Sequence, residues 1–165
     1  GMNMISATAI SREGTNAYFM KYIPVPISTQ ILAKATCGII LSIFSSWLLL
    51  IPIHLVIEYP IHLDLIFLLG SALSTTIINL ASILVDSYRP KLVWEQETAA
   101  VKQNMNGFIS MLFSFLFAAV CIALLYMLWV TVVICAVVLL IAQIILVIVL
   151  YRSIKNASNR LLNSI

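Results

Sequence analysis

Charged residues are scarce in this sequence. Asp, Glu, Lys and Arg make up 9% of its 165 residues and hydrophobic residues make up 62%, whereas roughly 25% of the residues in an ordinary soluble domain are charged. A soluble domain of this length leaves a large share of its surface in water, so it has no place for so many apolar side chains. The apolar residues also form long blocks without amphipathic periodicity. The scarcity of charge therefore excludes a soluble globular fold and predicts a protein embedded in a lipid bilayer.

Motifs for catalysis, metal binding and nucleotide binding are also absent. The sequence has no glycine-rich phosphate loop of the G-x-x-x-x-G-K-[ST] type, so the chain cannot hydrolyse ATP alone. Its cysteines have no metal-ligand spacing and lie within apolar runs, as small buried hydrophobic residues do: Cys37, Cys121 and Cys135. No Ser/His/Asp set, histidine-rich cluster or pair of carboxylates falls at membrane depth. We therefore expect no enzymatic activity, no catalytic residue, no cofactor and no metal site.

The middle of each apolar block lacks ionisable residues. Glu58, Asp64 and Asp86 all fall at the ends of blocks. Ion-coupled carriers and proton relays usually have ionisable residues within the membrane, so a proton-coupled antiporter is disfavoured. The nine Lys and Arg residues do not form the single basic patch that is typical of nucleic-acid binding. We expect no nucleic-acid partner.

The apolar blocks predict an all-α protein with about four transmembrane helices. One uncharged block ends at Glu58, and a second lies between Asp64 and Asp86. The third stretch, 103–151, has no charge, and as one helix it would be roughly twice as long as the apolar core of the bilayer is thick. It must therefore hold two helices, and the break between them falls around Trp129 and Thr131, since an interfacial Trp marks a membrane surface. The predicted helices lie near 31–57, 64–86, 106–128 and 131–151.

All nine basic residues fall on one side of the predicted spans: Arg12, Lys21, Lys34, Arg89, Lys91, Lys102, Arg152, Lys155 and Arg160. The connection 58–63 and the turn near Trp129 contain none. Because cytoplasmic connections are enriched in Lys and Arg, both chain ends are predicted to lie in the cytoplasm. The predicted organisation is a cytoplasmic or interfacial segment, 1–30, and a transmembrane domain, 31–165, with a cytoplasmic loop 87–105 and a cytoplasmic tail 152–165.

A stripe of polar residues runs along the second predicted span and leads to Asp86. Its members recur at helical spacing: Ser71, Thr75, Asn79 and Ser82. Small polar side chains at this spacing favour packing and hydrogen bonding against neighbouring helices. The alternative interpretation is a polar, water-lined path through the membrane.

The segment 9–26 mixes charged residues with aromatic ones. Its aromatic side chains would lie on one side of a short helix, as in helices that rest on a membrane or fill a groove in a partner: Tyr18, Phe19 and Tyr22. Pro24 and Pro26 then impose extended backbone. Ser28 or Thr29 is the predicted N-cap of the first span.

A second polar segment, 86–97, follows the second span. That span should end before Pro90, because proline cannot continue a helix. Glu95 and Glu97 then open a polar helix that Lys102 closes, in agreement with the helix dipole.

Both segments resemble parts of a known family. The first carries Ser11-Arg12-Glu13-Gly14, the aromatic residues, Lys21, Ile23-Pro24-Val25 and Gln30-Ile31-Leu32-Ala33-Lys34. The second carries Asp86, Arg89-Pro90-Lys91-Leu92, Trp94, Glu97 and Ala100-Val101-Lys102-Gln103-Asn104. With the spans between and after them, these segments resemble the membrane-spanning permeases of bacterial ATP-binding-cassette exporters of the type-2 superfamily, over most of the chain.

The resemblance implies a permease that moves a substrate across the bacterial cytoplasmic membrane with energy from a partner ATPase. In that family, a separate or fused ATPase drives the membrane domain through short cytoplasmic helices. The residues implied to lie at that contact are Arg12, Glu13, Tyr18, Phe19 and Lys21, and those of the inner loop are Arg89, Lys91, Trp94 and Glu97. Permeases of the family usually have more spans, so we expect the chain to be a C-terminal portion that meets other permease helices or a second copy.

A small membrane scaffold or accessory subunit is the alternative function. Such a subunit would have the same composition and spans but no transport path of its own. Co-purification of an ATP-hydrolysing subunit or domain distinguishes the two functions.

Overall fold

The computed structural model describes residues 4–57, 59–127 and 132–164, and none of these residues lies in a strand. The predicted all-α fold is therefore confirmed for this part of the chain. The elements are α1 (Met4–Ala7), a 3-10 helix (Ser11–Lys21), α2 (Ile27–Val56), α3 (His62–Tyr88), α4 (Glu97–Lys102), α5 (Met105–Met127) and α6 (Val132–Ser164). The predicted break at Trp129 lies outside the described residues.

Four stretches of the described chain are long and apolar enough to cross a membrane. They are Ile27–Val56, Leu63–Tyr88, Thr98–Leu124 and Ile134–Leu162, and each exceeds the roughly 20 residues that a span requires. Large apolar side chains cover the outer surfaces of these helices, as Ile40, Leu48 and Ile145 illustrate. Since water does not stabilise such a surface, lipid is its solvent. The prediction of a multi-pass membrane protein is confirmed.

Helix α3 is the centre of the bundle and packs against α1, α2, α5 and α6. The main apolar core lies where α2 begins and where α3 and α6 end, since buried Ile31, Ile83 and Ile154 meet there. The N-terminal segment closes this core with Ile10 and Met20. We call this end of the bundle the Asp86 end, and the end where α2 stops and α3 starts the opposite end.

The N-cap prediction for the first span is wrong. Helix α2 begins at Ile27 with Pro26 as its N-cap, rather than at Ser28 or Thr29. The Pro26 carbonyl accepts the backbone N–H of Thr29 at 2.9 Å, and a proline before a helix loses no needed donor. The Gln30 side chain also donates to the Val25 carbonyl at 2.8 Å, so the preceding turn is held against the first turn of α2.

The helix of the fourth predicted span does not end near 151. Helix α6 continues to Ser164. Ile154, Ala157 and Leu161 recur at the three- and four-residue spacing of one helix face, and all three are fully buried in the core at the Asp86 end. Arg160, on the same part of α6, lies 5.4 Å from the centre of the Tyr88 ring. The predicted tail is therefore a packed part of α6.

The two polar segments have the predicted elements. Helix α3 ends at Tyr88, before Pro90. Helix α4 begins at Glu97 with Gln96 as its N-cap and has Lys102 in its last turn, so Glu95 lies before the helix and does not open it. The aromatic residues of the first segment lie on the 3-10 helix, whose backbone departs from helical geometry at Gly14.

Candidate functional site

A buried carboxylate, Asp86, lies in the last turns of α3 with no exposed surface. Its Oδ2 accepts the backbone N–H groups of Ile10 at 2.6 Å and Ser11 at 3.0 Å. Its Oδ1 accepts the Ser11 hydroxyl and the Asn106 side-chain amide, the latter at 2.9 Å. A buried carboxylate is stable only when its oxygens are paired in this way. Asp86 therefore joins the N-terminal segment, α3 and α5 at one point.

The partners of Asp86 also bind the loop that follows α3. The Ser11 hydroxyl accepts the backbone N–H of Lys91 at 2.9 Å, and the Ser11 carbonyl accepts the Trp94 indole N–H at 3.0 Å. The Asn106 amide donates a second hydrogen bond, of 2.8 Å, to the Arg89 carbonyl. We call Ser11, Asp86 and Asn106 the Asp86 cluster.

The contact between the 3-10 helix and the loop after α3 requires a glycine at position 14 for two reasons. Its φ of 55° lies in the left-handed region, which a residue with a Cβ rarely adopts. In addition, a Cβ at this position would lie 2.8 Å from Cζ2 of Trp94. The indole ring therefore packs directly on the Gly14 backbone, and this contact holds the loop against the 3-10 helix.

The chemistry of the Asp86 cluster is that of an anchor. All four donors to the carboxylate are neutral groups, two from the backbone and two from side chains. Both carboxylate oxygens are occupied, so neither is placed to take a proton from a substrate. Among the described residues, no group of three or more His, Cys, Asp or Glu side chains is placed to hold a metal ion.

Arg12 and Glu13 bind within the protein. The Arg12 guanidinium donates from Nη2 to the carbonyl of Ile5 in α1 at 3.0 Å. Glu13 forms an ion pair with Lys34 of α2. Glu13 therefore holds the N-terminal segment on α2, whereas Arg12 bonds within that segment. The resemblance implied a contact with a partner at these two residues, and the structure gives each an internal partner.

The aromatic side chains of the 3-10 helix form an exposed group. Tyr18 is 44% exposed, Phe19 52% and Tyr22 76%. The rings of Tyr18 and Phe19 stack with centres 4.2 Å apart, and Tyr22 meets Tyr18 edge-on at 6.1 Å. We call these three residues the aromatic face. Ala17 and Met20 are buried on the other side of the same helix, and Lys21 beside the aromatic face is exposed.

The predicted residues of the inner loop lie around the cluster. Trp94 contacts Gly14, as described above, and Arg89 has an exposed side chain but contributes its carbonyl to Asn106. Lys91 donates from Nζ to the Gln103 carbonyl at 3.2 Å, which connects the two ends of the loop. Glu97 is the first residue of α4, and its side chain lies outside the described part of the structure.

Three residues of the polar stripe on α3 are buried, Thr75, Asn79 and Ser82, whereas Ser71 is half-buried and lines a cavity. Asn79 is 1% exposed; it accepts the Ser6 hydroxyl of α1 at 2.6 Å and donates to the Ser42 hydroxyl of α2 at 3.2 Å. The other stripe residues donate their hydroxyls to carbonyls of α3 itself: Ser71, Thr75 and Ser82. Asn79 therefore connects α1, α2 and α3, whereas the hydroxyls of Ser71, Thr75 and Ser82 bond within α3.

A second polar group lies at the opposite end of the bundle. Asp64 Oδ2 is 3.0 Å from His54 Nδ1, and Asp64 Oδ1 accepts the Tyr59 hydroxyl at 2.5 Å. The hydrogen bond to Asp64, with some burial and the carboxylate charge, raises the pKa of Tyr59 above its ordinary value. This group joins the end of α2 to the start of α3.

Sequence reasoning placed Asp86 only at a span end and missed the cluster around it. One signal was present, because Asn79, Ser82 and Asp86 continue the three- and four-residue spacing of the polar stripe. No signal connected Asp86 with Ser11, since 75 residues separate them. Comparison of the chain with protein-family models, curated proteins and solved structures gives no significant match.

Proposed function

We propose that this chain is the membrane (permease) subunit, or a C-terminal portion of one, of an ATP-driven exporter in the bacterial cytoplasmic membrane. The observation that carries the proposal is the Asp86 cluster. It bonds the N-terminal segment, which presents the aromatic face, to a buried carboxylate of the central helix α3. A partner that moves this segment would therefore move α3 with it.

The charge distribution supports an orientation with both chain ends in the cytoplasm. The basic residues belong to the N-terminal segment, the start of α2, the loop after α3, helix α4 and the last part of α6. These elements meet at the Asp86 end, so this end would face the cytoplasm, where a partner ATPase has access to ATP.

The aromatic face supplies the contact in this proposal. Exposed aromatic side chains next to a basic residue are the kind of anchor that dominates protein interfaces. Tyr18 and Phe19 are already stacked, so little side-chain freedom is lost on binding. The ion pair between Glu13 and Lys34 and the bonds to Asp86 then transmit a displacement of the segment to α2 and α3. Small shifts at such packed contacts produce helix movements.

A scaffold or accessory subunit is the second candidate, and the polar stripe favours it. Asn79, Thr75 and Ser82 are buried in helix contacts, as expected of a packing interface rather than a water-lined path. A permease formed by this chain therefore needs its path elsewhere, at contacts with further permease helices or with a second copy.

Affinity purification of the tagged chain from its native membrane tests the proposal. We expect an ATP-hydrolysing subunit to co-purify, and the double change Tyr18→Ala and Phe19→Ala to release it, because the anchor side chains are removed. The matched control is Leu48→Ala with Leu55→Ala, which shortens two exposed apolar side chains on the span α2. This control should keep the partner. Wild-type recovery of the ATPase with the aromatic variant, or no ATPase with any variant, would favour the scaffold.

A further inference from the structure

A groove lies along the last turns of α3, between α5 and α6, at the Asp86 end of the bundle. Its volume is about 450 Å³, within the range of roughly 300–1,000 Å³ that is usual for small-molecule sites. Its walls include Val85 of α3, Phe113 of α5 and Leu150 of α6. Phe113 is 36% exposed, and all three residues belong to stretches that can cross a membrane. The groove is therefore open to lipid.

The polar groups that a ligand can reach lie at one end of this groove. Tyr88, the last residue of α3, and Arg89 line that end, and both residues are exposed. Ser82 and Ser110 also line the groove, but they are buried, and the Ser82 hydroxyl already donates to the Ile78 carbonyl. The groove is thus apolar along the membrane helices and polar where α3 ends, as a lipid molecule is apolar along its chains and polar at its headgroup.

Two guanidinium groups give the polar end a positive charge. Arg89 lines the groove, and the Arg160 guanidinium lies 5.4 Å from the centre of the Tyr88 ring. Neither arginine forms an ion pair with an acidic side chain of the described residues. The carboxylate of Asp86 accepts its hydrogen bonds from neutral groups instead. An anionic group at this end of the groove would therefore meet two arginines that have no other charged partner.

We propose that this groove binds an anionic phospholipid. One acyl chain lies against the apolar walls, and the phosphate accepts hydrogen bonds from the guanidinium groups of Arg89 and Arg160. The planar fork of arginine matches the oxygens of a phosphate, and basic pockets between membrane helices bind such headgroups. A zwitterionic headgroup is disfavoured because it brings a further positive charge to the two arginines. The site goes beyond the proposed function and does not depend on it, since the aromatic face does not line the groove.

Photocrosslinking of the full purified chain in phosphatidylcholine nanodiscs tests the site. The probe is phosphatidylglycerol with a diazirine in one acyl chain, and the matched probe is phosphatidylcholine with the same two chains. The measurement is made at about 0.15 M salt, where the Debye length is about 8 Å and distant charges are screened. We expect phosphatidylglycerol to give half-maximal labelling of the groove peptides at a roughly five- to thirtyfold lower mole fraction than phosphatidylcholine. This is the usual effect of one to two basic side chains at an anionic headgroup.

Two charge variants separate a local contact from the general positive charge of this end. Arg89→Gln with Arg160→Gln should remove most of the difference between the two lipids. The matched control is Arg152→Gln with Lys155→Gln, which removes the same charge from exposed residues of α6. These two residues lie on the side of the helix away from Leu150, so the control should keep the difference.

A third variant tests the apolar part of the groove. Ala81→Leu enlarges a side chain in its wall and should reduce labelling of the groove by both lipids. Equal labelling of wild type by the two lipids, an equal loss in the two charge variants, or labelling spread evenly over the outer helix surfaces would overturn the proposal. So would a groove that neither lipid labels, as expected if a second copy of the chain covers it. The comparison of lipids on wild type holds even if a variant fails to fold.

Discussion

Replacement of Asp86 tests whether a buried carboxylate holds the N-terminal segment on the membrane helices. Asp86→Ala removes both acceptor oxygens and leaves buried donors of Ile10, Ser11 and Asn106 without partners. Asp86→Asn keeps the shape but replaces one oxygen with a donor. The least damaging orientation keeps the remaining oxygen at the two backbone N–H groups and places the new amide nitrogen towards Asn106, whose amide is itself a donor there.

The expected losses follow from the number of bonds removed. A hydrogen bond to a charged group contributes about 1.5–3 kcal/mol, so Asp86→Asn, which loses the bond from Asn106 and the negative charge, should cost about 2–3 kcal/mol. Asp86→Ala should cost about 3–5 kcal/mol, because several buried donors lose their partner together. The matched control is Ser87→Ala. Ser87 is also buried, but its hydroxyl donates only to the Ile83 carbonyl of its own helix, and its loss should cost less than about 1 kcal/mol.

Unfolding of the purified protein in mixed micelles measures these differences, and limited trypsin digestion locates them. With Asp86→Ala we expect earlier cleavage after Arg12 and Lys21, because the segment loses its anchor, while the spans stay resistant. The loss of unfolding free energy should be largest for Asp86→Ala, smaller for Asp86→Asn and smallest for the control Ser87→Ala. If Asp86→Ala unfolds like Ser87→Ala, and the segment remains equally resistant, the carboxylate does not hold the segment and does not couple its movement to α3.

The remaining predictions concern single contacts and the orientation. Gly14→Ala should destabilise the protein by about 1–2 kcal/mol, through the positive φ and the 2.8 Å approach to the indole ring, and should shift tryptophan fluorescence. Asn79→Leu should lower the free energy of unfolding by on the order of 1 kcal/mol. Leu69→Ala, at an exposed position, should lower it less. In a cysteine-free background, a cysteine at Lys91 should be labelled from the cytoplasm and one at Tyr59 from outside; the reverse result would contradict the orientation.

The sequence contained enough to predict the spans and the polar segments between them. The long apolar blocks and Pro90 are signals that short stretches of sequence contain in full. The observed spans and the end of α3 agree with them. The packing of the last three turns of α6 was not predicted, because Arg152, Lys155 and Arg160 make the stretch polar on average. Its buried stripe of Ile154, Ala157 and Leu161 is a helix-period signal that the mean composition conceals.

The site was less predictable, because its contacts join distant parts of the chain. The spacing of Asn79, Ser82 and Asp86 is visible in the sequence, but the partners from the N-terminal segment are not. The ion pair of Glu13 with Lys34 joins residues 21 positions apart and was missed for the same reason, whereas Arg12 bonds to the nearby Ile5 carbonyl. Local pattern thus predicts which face of a helix is buried, and tertiary packing decides what covers it.

The choice of a carboxylate at position 86 bears on which proposed function fits better. A scaffold needs only a stable junction, and apolar residues of similar volume often stabilise a core as well as or better than a buried charge does. Hydrogen bonds from Ile10 and Ser11, by contrast, are directional, so their strength depends on the position of the segment. Such a junction can change its hydrogen bonds as the segment moves. It therefore fits a contact that couples a driving partner to the membrane helices better than a permanent scaffold contact.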